Sequence, residues 1–560
     1  KLRQQSCQIG HIGNGITFTL GQREGSVAQL AIAFGRCQAR IGVKIKHHPQ
    51  SNVLLHSGKP IAGRIALAYS IPMSKTRKFL IGLVAIIVTI ALALFVLTRG
   101  DTADLAVSEV SGLDPTLEDP NAESIPTVQI AKPVGWKGGE LPVAAEGLTV
   151  SRFAEGLEHP RVLYALPNGD ILATLTRSPK AEGDGGGITA FIAGILLKRA
   201  GALGDSPDQI VLLRDTDGDG VAETRRIILE DLASPSGMAW RDGTLYVANH
   251  DALLAFPYEL GADAVTGEPT KLMDLPEGGG HWMRNIEMNP EGNLIYIAVG
   301  SVSNIGEQGM EVEKGRAMIW EYNLETKRQR PYATGLRNPN GLDWSPWNGE
   351  LWTTVNERDM LGSDLVPDYL TNVPIGAQYG WPWVYWRDNF DRRVEAPVPA
   401  YLIDYARKPE YALGPHVAAL GLVFSAEGNK MGGKFANGAF IAQHGSWNRK
   451  PPSGYDVVYV PFDNLGNPED KPIPVLTGFL NEDGTTKGRP TWVEWAADGS
   501  LLVSDDTAGI IWRVIAPDAE PAAAIEPTKS DSLRPRGALT GDPRATFGKD
   551  DFARTQPASN

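Results

Sequence analysis

At 560 residues and 42% hydrophobic, the chain can bury a large core, and its formal net charge of −13 argues against a nucleic-acid surface. Fourteen Trp and 62 Gly point to a β-rich, turn-rich body rather than a helical bundle. Both cysteines, Cys7 and Cys37, precede Met73. The rest of the chain therefore has no disulfide framework, thiol nucleophile or Cys-ligated metal.

Residues 1–72 carry nine Lys/Arg against one acid, Glu24, and show no sustained periodicity. They read as an upstream extension without a fold, or alternatively as a basic cytoplasmic tail. Residues 73–100 read as a membrane anchor: Phe79–Thr98 is uncharged over a bilayer-spanning length, with Lys75, Arg77 and Lys78 before it and Asp101 and Asp104 beyond. The positive-inside rule then predicts a single-pass protein of the inner (cytoplasmic) membrane with its bulk on the periplasmic side. No clear small-residue cleavage site follows, which favours an uncleaved anchor. Residues 101–140 read as an acidic, Pro- and Ser-rich linker, and 517–560 as a disordered tail.

Between them, in 141–516, an Asx/Glu-Gly turn followed by an apolar run occurs six times, at Asn168-Gly169, Asp242-Gly243, Glu291-Gly292, Asn348-Gly349, Asn437-Gly438 and Asp498-Gly499. Repeats of this size with short strands predict an all-β fold, a six-bladed β-propeller. If each turn joins an innermost strand to its neighbour, the loops leading into inner strands and the ends of second strands share the opposite face. The leading loops carry His159 and Arg161, His281 and Arg284, Arg337 and Asn338, and Arg489. The second strands end in Asn249 and Asp251, Asn356 and Glu357, His444 to Arg449, and Asp505 and Asp506. Such a ring of His, Arg, Asn and acids at one mouth suits a small polar ligand.

Within that ring, His281 in the loop Gly278–Asn285 is a candidate general base. Arg337 offers a permanently charged fork for a carboxylate or polarised carbonyl. The segment Gln443–Arg449 packs His444, Trp447, Asn448 and Arg449 together, a set suited to a planar anion. Asp215, Asp217 and Asp219 with Gly220 match the opening of a calcium loop, with Glu223 assisting, although Arg226 stands where an EF-hand has its bidentate Glu. That loop is either a cation site or an acidic turn. Gly187–Leu197 is an apolar insertion: a blade-capping helix, or a surface for a membrane or electron acceptor.

The motifs GGGHWMRN, GLRNPNGL, QYGWPW, QHGSWNR and KGRPTW with DGSLLVSDD, in this order, resemble the glucose/sorbosone dehydrogenase family over about 145–516, most of all its L-sorbosone dehydrogenase branch. The resemblance implies a six-bladed propeller that uses pyrroloquinoline quinone (PQQ) and calcium to oxidise a sugar or sugar-derived aldehyde, passing electrons to cytochrome c or a membrane quinone. It implies His281 as base, Arg337 as the group polarising the quinone oxygen, and Asn338 beside it. Arg161, Arg489 and the His444–Arg449 loop would hold the cofactor. Its calcium would sit on main-chain carbonyls of the loop Asn356 to Asp359, where Arg358 and Asp359 replace the Gly-Pro of glucose-oxidising members. Two alternatives stand beside this reading: a calcium-dependent lactonase-type hydrolase, and a non-catalytic binding propeller.

Overall fold

The computed structural model describes residues 74–97, 100–123, 125–179 and 204–528, and a short strand pair, Gly10–His11 with Ile16–Thr17. The expected apolar insertion at Gly187–Leu197 and the tail from residue 529 lie outside the described residues, as does most of 1–72.

Six sheets of four or five antiparallel strands form the blades of a propeller. Their inner strands are Pro160–Ala165, Met238–Arg241, Ile286–Met288, Pro339–Trp344, Ala419–Phe424 and Pro490–Trp495, numbered here as blades 1 to 6. Each inner strand touches the next around a closed ring. All six Asx/Glu-Gly turns fall between a first and a second strand, as the repeat predicts. Second strands such as Ile171–Leu175 and Leu351–Val355 are buried throughout. Neighbouring blades cover both of their faces, so these strands read as unbroken apolar runs rather than alternating ones. Outer strands meet water, as in Arg328–Thr334.

Near the channel the blades meet backbone to backbone. A Cβ on Gly341 would lie 2.5 Å from the Leu420 carbonyl oxygen, and one on Gly421 would lie 2.7 Å from Trp492 Cα. Buried hydroxyls staple the same contacts. Thr354 Oγ1 accepts from Gly341 N at 3.0 Å and donates to Leu420 O at 2.6 Å. Ser504 Oγ accepts from Trp492 N at 3.0 Å and donates to Arg161 O at 2.6 Å. The ring closes through blade 6, whose outer strand is the early segment Thr149–Ala154 paired with Ile510–Ile515.

Two segments differ from the sequence reading. The expected linker is a strap fixed to the propeller, in which Gly112 pairs with Ala412 and Lys132–Pro133 pairs with Thr485–Thr486; just beyond it, Val143–Ala144 adds a fifth strand to blade 5. Trp136 packs edge-on against Phe479 and Trp512. Its low apolar content hid this, because the strap is held mainly by backbone hydrogen bonds. The start of the expected tail also docks, with Ala522 paired to Asn429 and Gly428 and Thr528 donating to Trp347 O.

The segment expected to cross a membrane forms one helix, Lys75–Leu97, with Phe79 to Val88 exposed at every large apolar position. Its side chains are described without interruption only as far as Thr89, and among the described residues no helix is long and apolar enough to cross a membrane.

The glycine contacts lead to a direct expectation. Gly341→Ala drives a methyl into the blade 5 backbone and lowers unfolding free energy by about 1–3 kcal/mol or more, measured by urea denaturation.

Candidate active site

The leading loops and second-strand ends converge at one mouth of the channel, and two carboxylates organise the cations there. Asp506 accepts from Arg161 Nη1 at 2.6 Å, contacts His444 Nε2 at 2.9 Å, and has His159 Nε2 at 3.8 Å. Burial pushes its pKa up, but His444, His159 and Arg161 together hold it well below the usual carboxylate range. After the second strand of blade 4, Asp359 accepts from Arg337 Nη2 at 2.9 Å and faces His416 Nδ1 at 3.3 Å. Arg337 and His416 likewise outweigh burial and hold Asp359 low. The carboxylate raises His416 above its ordinary value against the downward pull of burial, and His416 Nε2 meets Gly362 O at 3.2 Å.

His281 lies near Arg337 and Asp359. Its Nδ1 meets Ser301 O at 2.9 Å and Ser301 Oγ at 3.1 Å. The carbonyl can only accept, so Nδ1 carries the proton and Nε2 keeps its lone pair. Burial first, and then the charge of Arg337, lowers its pKa to about 3. The imidazole is therefore neutral across the physiological range. Gly300 makes room for it: a Cβ there would lie 2.6 Å from His281 Cβ and 2.3 Å from Asn338 Oδ1. Asn338 and His281 thus both crowd the space beside Gly300.

Arg337 is held more fully than the sequence suggests. Nε donates to Asn304 O, Nη1 to Glu357 O at 2.7 Å and more weakly to Asn356 O, and Nη2 to Asn304 Oδ1 and Asp359 Oδ2. Every N–H direction has a protein acceptor, so Arg337 acts on the mouth through its field.

This arrangement corrects the expected calcium loop. The carbonyls of Asn356 and Glu357 accept from Arg337, while those of Asp359 and Met360 accept from Arg393 Nη1 at 3.0 and 2.8 Å. Arg358 is fully buried, pointing to Glu357, Pro382 O and Val384 O. Two guanidinium groups thus occupy the acceptors that a cation would need, and the loop does not fit one. Among the described residues, the carboxylates that can converge on a cation are Asp215, Asp217, Asp219 and Glu223, whose ligand atoms lie within 4.8 Å of one another. They sit on the opposite, turn-bearing face, beside a cleft of about 610 Å³.

The Gln443–Arg449 segment divides. His444 is at the mouth. Asn448 and Arg449 are buried struts: Asn448 accepts from Met360 N and donates to Thr127 O, and Arg449 pairs with Asp364 and donates to Leu105 O. Both hold the strap rather than a ligand, a correction to the cofactor set. Trp447 is 39% exposed, and its carbonyl accepts from Gln129 N. Arg489 lies over the Tyr455 ring.

Several buried polar atoms at this level have no hydrogen-bond partner among the described residues: His159 Nδ1, Arg161 Nε, Asn249 Oδ1, both amide atoms of Asn285, Gln443 Nε2 and Arg489 Nε. They come from five blades, and apart from Arg161, at the start of its inner strand, they belong to leading loops or second-strand ends. Uncompensated buried polar atoms are rare in folded proteins and mark a place for a polar ligand. His416 was missed in the sequence, as were Ser301 and Asn304. The last two lie in the turn that follows the second strand of blade 3, Leu294–Val299, where the repeat could have located them.

The fold is a six-bladed propeller with a cation-rich mouth. The TrAA12-like family model matches residues 208–373 and 403–516, half of the chain, and the chain belongs to the TrAA12-like family. It is 25% identical over 372 residues to the pyrroloquinoline quinone-dependent pyranose dehydrogenase of Coprinopsis cinerea, covering 54% of this chain and half the length of that enzyme. Among solved structures, the holo PQQ domain of the Coprinopsis cinerea pyranose dehydrogenase aligns with TM-score 0.53 and 20% identity, over 69% of this chain and all of that one. The iodide structure of the Trichoderma reesei family AA12 protein aligns with TM-score 0.54 and 20% identity, over 72% and 99%. At such identity these structures show the shared fold.

The pKa shifts fix a pH dependence. His281 and His159 titrate near 3 and 4 in the fold, against 6.5 when free. Below 6.5 the unfolded chain takes up these protons first, so their contribution to stability falls as pH drops through this range. His159→Gln removes one such proton, and its urea midpoint declines less steeply than that of the wild type between pH 6.5 and pH 4.

Proposed function

We propose that this protein is a PQQ-dependent dehydrogenase of a sugar or sugar-derived aldehyde of the aldose or sorbosone type. The carrying observation is His281, a neutral imidazole fixed through Nδ1 with Nε2 free, in a ring of unsatisfied buried donors and cations. The PQQ dependence of the Coprinopsis relative supports the choice of cofactor. A planar tricarboxylate matches the donor set: Arg161 and Arg489 retain unpartnered Nε groups, Gln443 and Asn285 offer amides, and Asn338 and His444 lie at the same level.

The quinone, when bound, supplies the two-electron acceptor. His281 Nε2 receives the proton of the substrate hydroxyl. Its Nδ1–H bond to Ser301 O keeps the ring in one tautomer and one orientation. Asp359 lies near enough to favour the imidazolium that forms. Arg337, locked by Asn304 and Asp359, maintains a positive potential beside the reacting atoms. The hydrolase alternative is less well supported, because Asp359 and Asp506 are each engaged by guanidinium and imidazole rather than open to a shared metal.

Calcium, in this reading, belongs to the Asp215–Glu223 loop and acts on stability. The apolar Phe79–Thr98 stretch anchors the chain in the inner membrane with the propeller on the periplasmic side, and cytochrome c or a membrane quinone takes the electrons.

Two experiments test this. Full-length protein in detergent is titrated with PQQ, following the quinone absorbance, and then assayed by dye reduction with aldoses and aldehydes. His281→Ala retains PQQ binding and loses about 10²–10⁴-fold in kcat. Absence of PQQ binding in the wild type overturns the reading. Separately, calcium raises the Tm of the wild type and leaves that of Asp217→Asn/Asp219→Asn unchanged; equal shifts in both remove the loop from the assignment.

A further inference from the structure

The two groups given the chemistry, His281 and Arg337, come from different blades, yet a single turn orients both. That turn is Ser301–Asn304, which leaves the second strand of blade 3. Ser301, fully buried, receives His281 Nδ1 on its carbonyl and hydroxyl, while its own N–H donates to Arg337 O at 2.8 Å. Three residues on, Asn304 takes Arg337 Nε on its carbonyl and Nη2 on its side-chain oxygen. The same side chain also brackets Asp359, accepting from its N–H at 2.9 Å and donating to its carbonyl at 3.0 Å.

The intervening residues are fixed from behind by one buried carboxylate. Glu313, 4% exposed, accepts from Val302 N at 2.8 Å and Ser303 N at 2.9 Å, and also from the Ser303 hydroxyl. These donors belong to consecutive residues, so the carboxylate sets the curvature of the turn as a bound anion sets that of a backbone nest. We propose that Glu313 is a positioning residue for both His281 and Arg337, acting only through the Ser301–Asn304 turn. This rests on the dehydrogenase reading for its effect on turnover, but the geometry stands independently of it.

Without Glu313, two buried N–H groups lose their acceptor and the turn relaxes. Ser301 O then shifts away from Nδ1, so the His281 ring gains freedom to turn. A misplacement on the order of 1 Å at a reacting group costs about 10²-fold in rate. Glu313→Gln retains one acceptor oxygen and keeps part of the turn; Glu313→Ala retains none.

The test compares full-length wild type, Glu313→Gln and Glu313→Ala by two readouts. The first is the ¹⁵N correlation spectrum of the histidine rings, with the His281 signals assigned by their loss in His281→Gln. The second is steady-state dye reduction after PQQ loading. The expected spectrum of the wild type shows a slowly exchanging Nδ1–H on His281. It weakens in Glu313→Gln and is lost in Glu313→Ala, while kcat falls about 10-fold and 100-fold respectively and KM changes less than 3-fold. An unchanged Nδ1–H signal in a folded Glu313→Ala variant overturns the proposal. So does a loss of activity matched by an equal loss of folded protein in both variants. If the wild type shows no turnover, the dehydrogenase reading fails, and the Nδ1–H signal alone decides the role of Glu313.

Discussion

The mouth is held in shape by the approach of neighbouring inner strands, backbone against backbone, at the wall of the channel. Gly341 and Gly421 permit it, and Thr354 and Ser504 convert it from mere contact into hydrogen bonds across the blade boundary. The leading loops emerge a few residues from these contacts. Were blade 1 to slide outward it would carry Arg161 away from Asp506 of blade 6, and blade 3 would likewise carry Asn304 away from Arg337 of blade 4. The precision of the polar ring is therefore inherited from glycine and hydroxyl positions that touch none of its functional groups.

Electrostatically, the mouth has internal counterions. Asp506 and Asp359 each engage a guanidinium and at least one imidazole, so Arg161 and Arg337 each sit in the small volume with a countercharge. The cost is that Arg337 has no donor to spare. What remains is a fixed positive field with a neutral base inside it. Fixed dipoles and charges of this kind need no reorganisation when charge develops nearby. The same crowding explains why the 356–360 loop does not serve a cation: its carbonyls are already neutralising arginines.

Much of this was legible in the sequence, for a physical reason. Asx-Gly turns must sit where φ is positive or the chain reverses tightly, so they mark the ends of strands directly, and six of them define six blades. Knowing which strand each turn joins places His281, Arg337, Asn338, Arg161 and Arg489 at one mouth. Direction of side chains was not legible. Asn448 and Arg449 belong to a segment rich in donors, but composition does not say whether donors face a ligand or a neighbouring segment, and these face the strap. His416 was invisible because its role depends on Asp359, a partner 57 residues away that only the fold brings near. The strap itself lacked an apolar signature, since hydrogen bonds to blades 4, 5 and 6 substitute for a packed face.

The closure of the ring through Thr149–Ala154 has a consequence for biosynthesis. Thr149 Oγ1 donates to the carbonyl of Ile515, 366 residues further along the chain. This early strand is thus among the last to find its partner. Until Ile510–Ile515 has been made, both ends of the array stand as open sheet edges, with ladder groups free to pair with a neighbouring chain. A nascent or prematurely terminated chain is consequently a different object from the finished one, with Thr149–Ala154 unpaired where the complete ring has it hydrogen-bonded to Ile510–Ile515. Contacts this distant in sequence also form slowly, because the intervening loop must be closed first. Closure of the ring therefore waits on the final strand of blade 6.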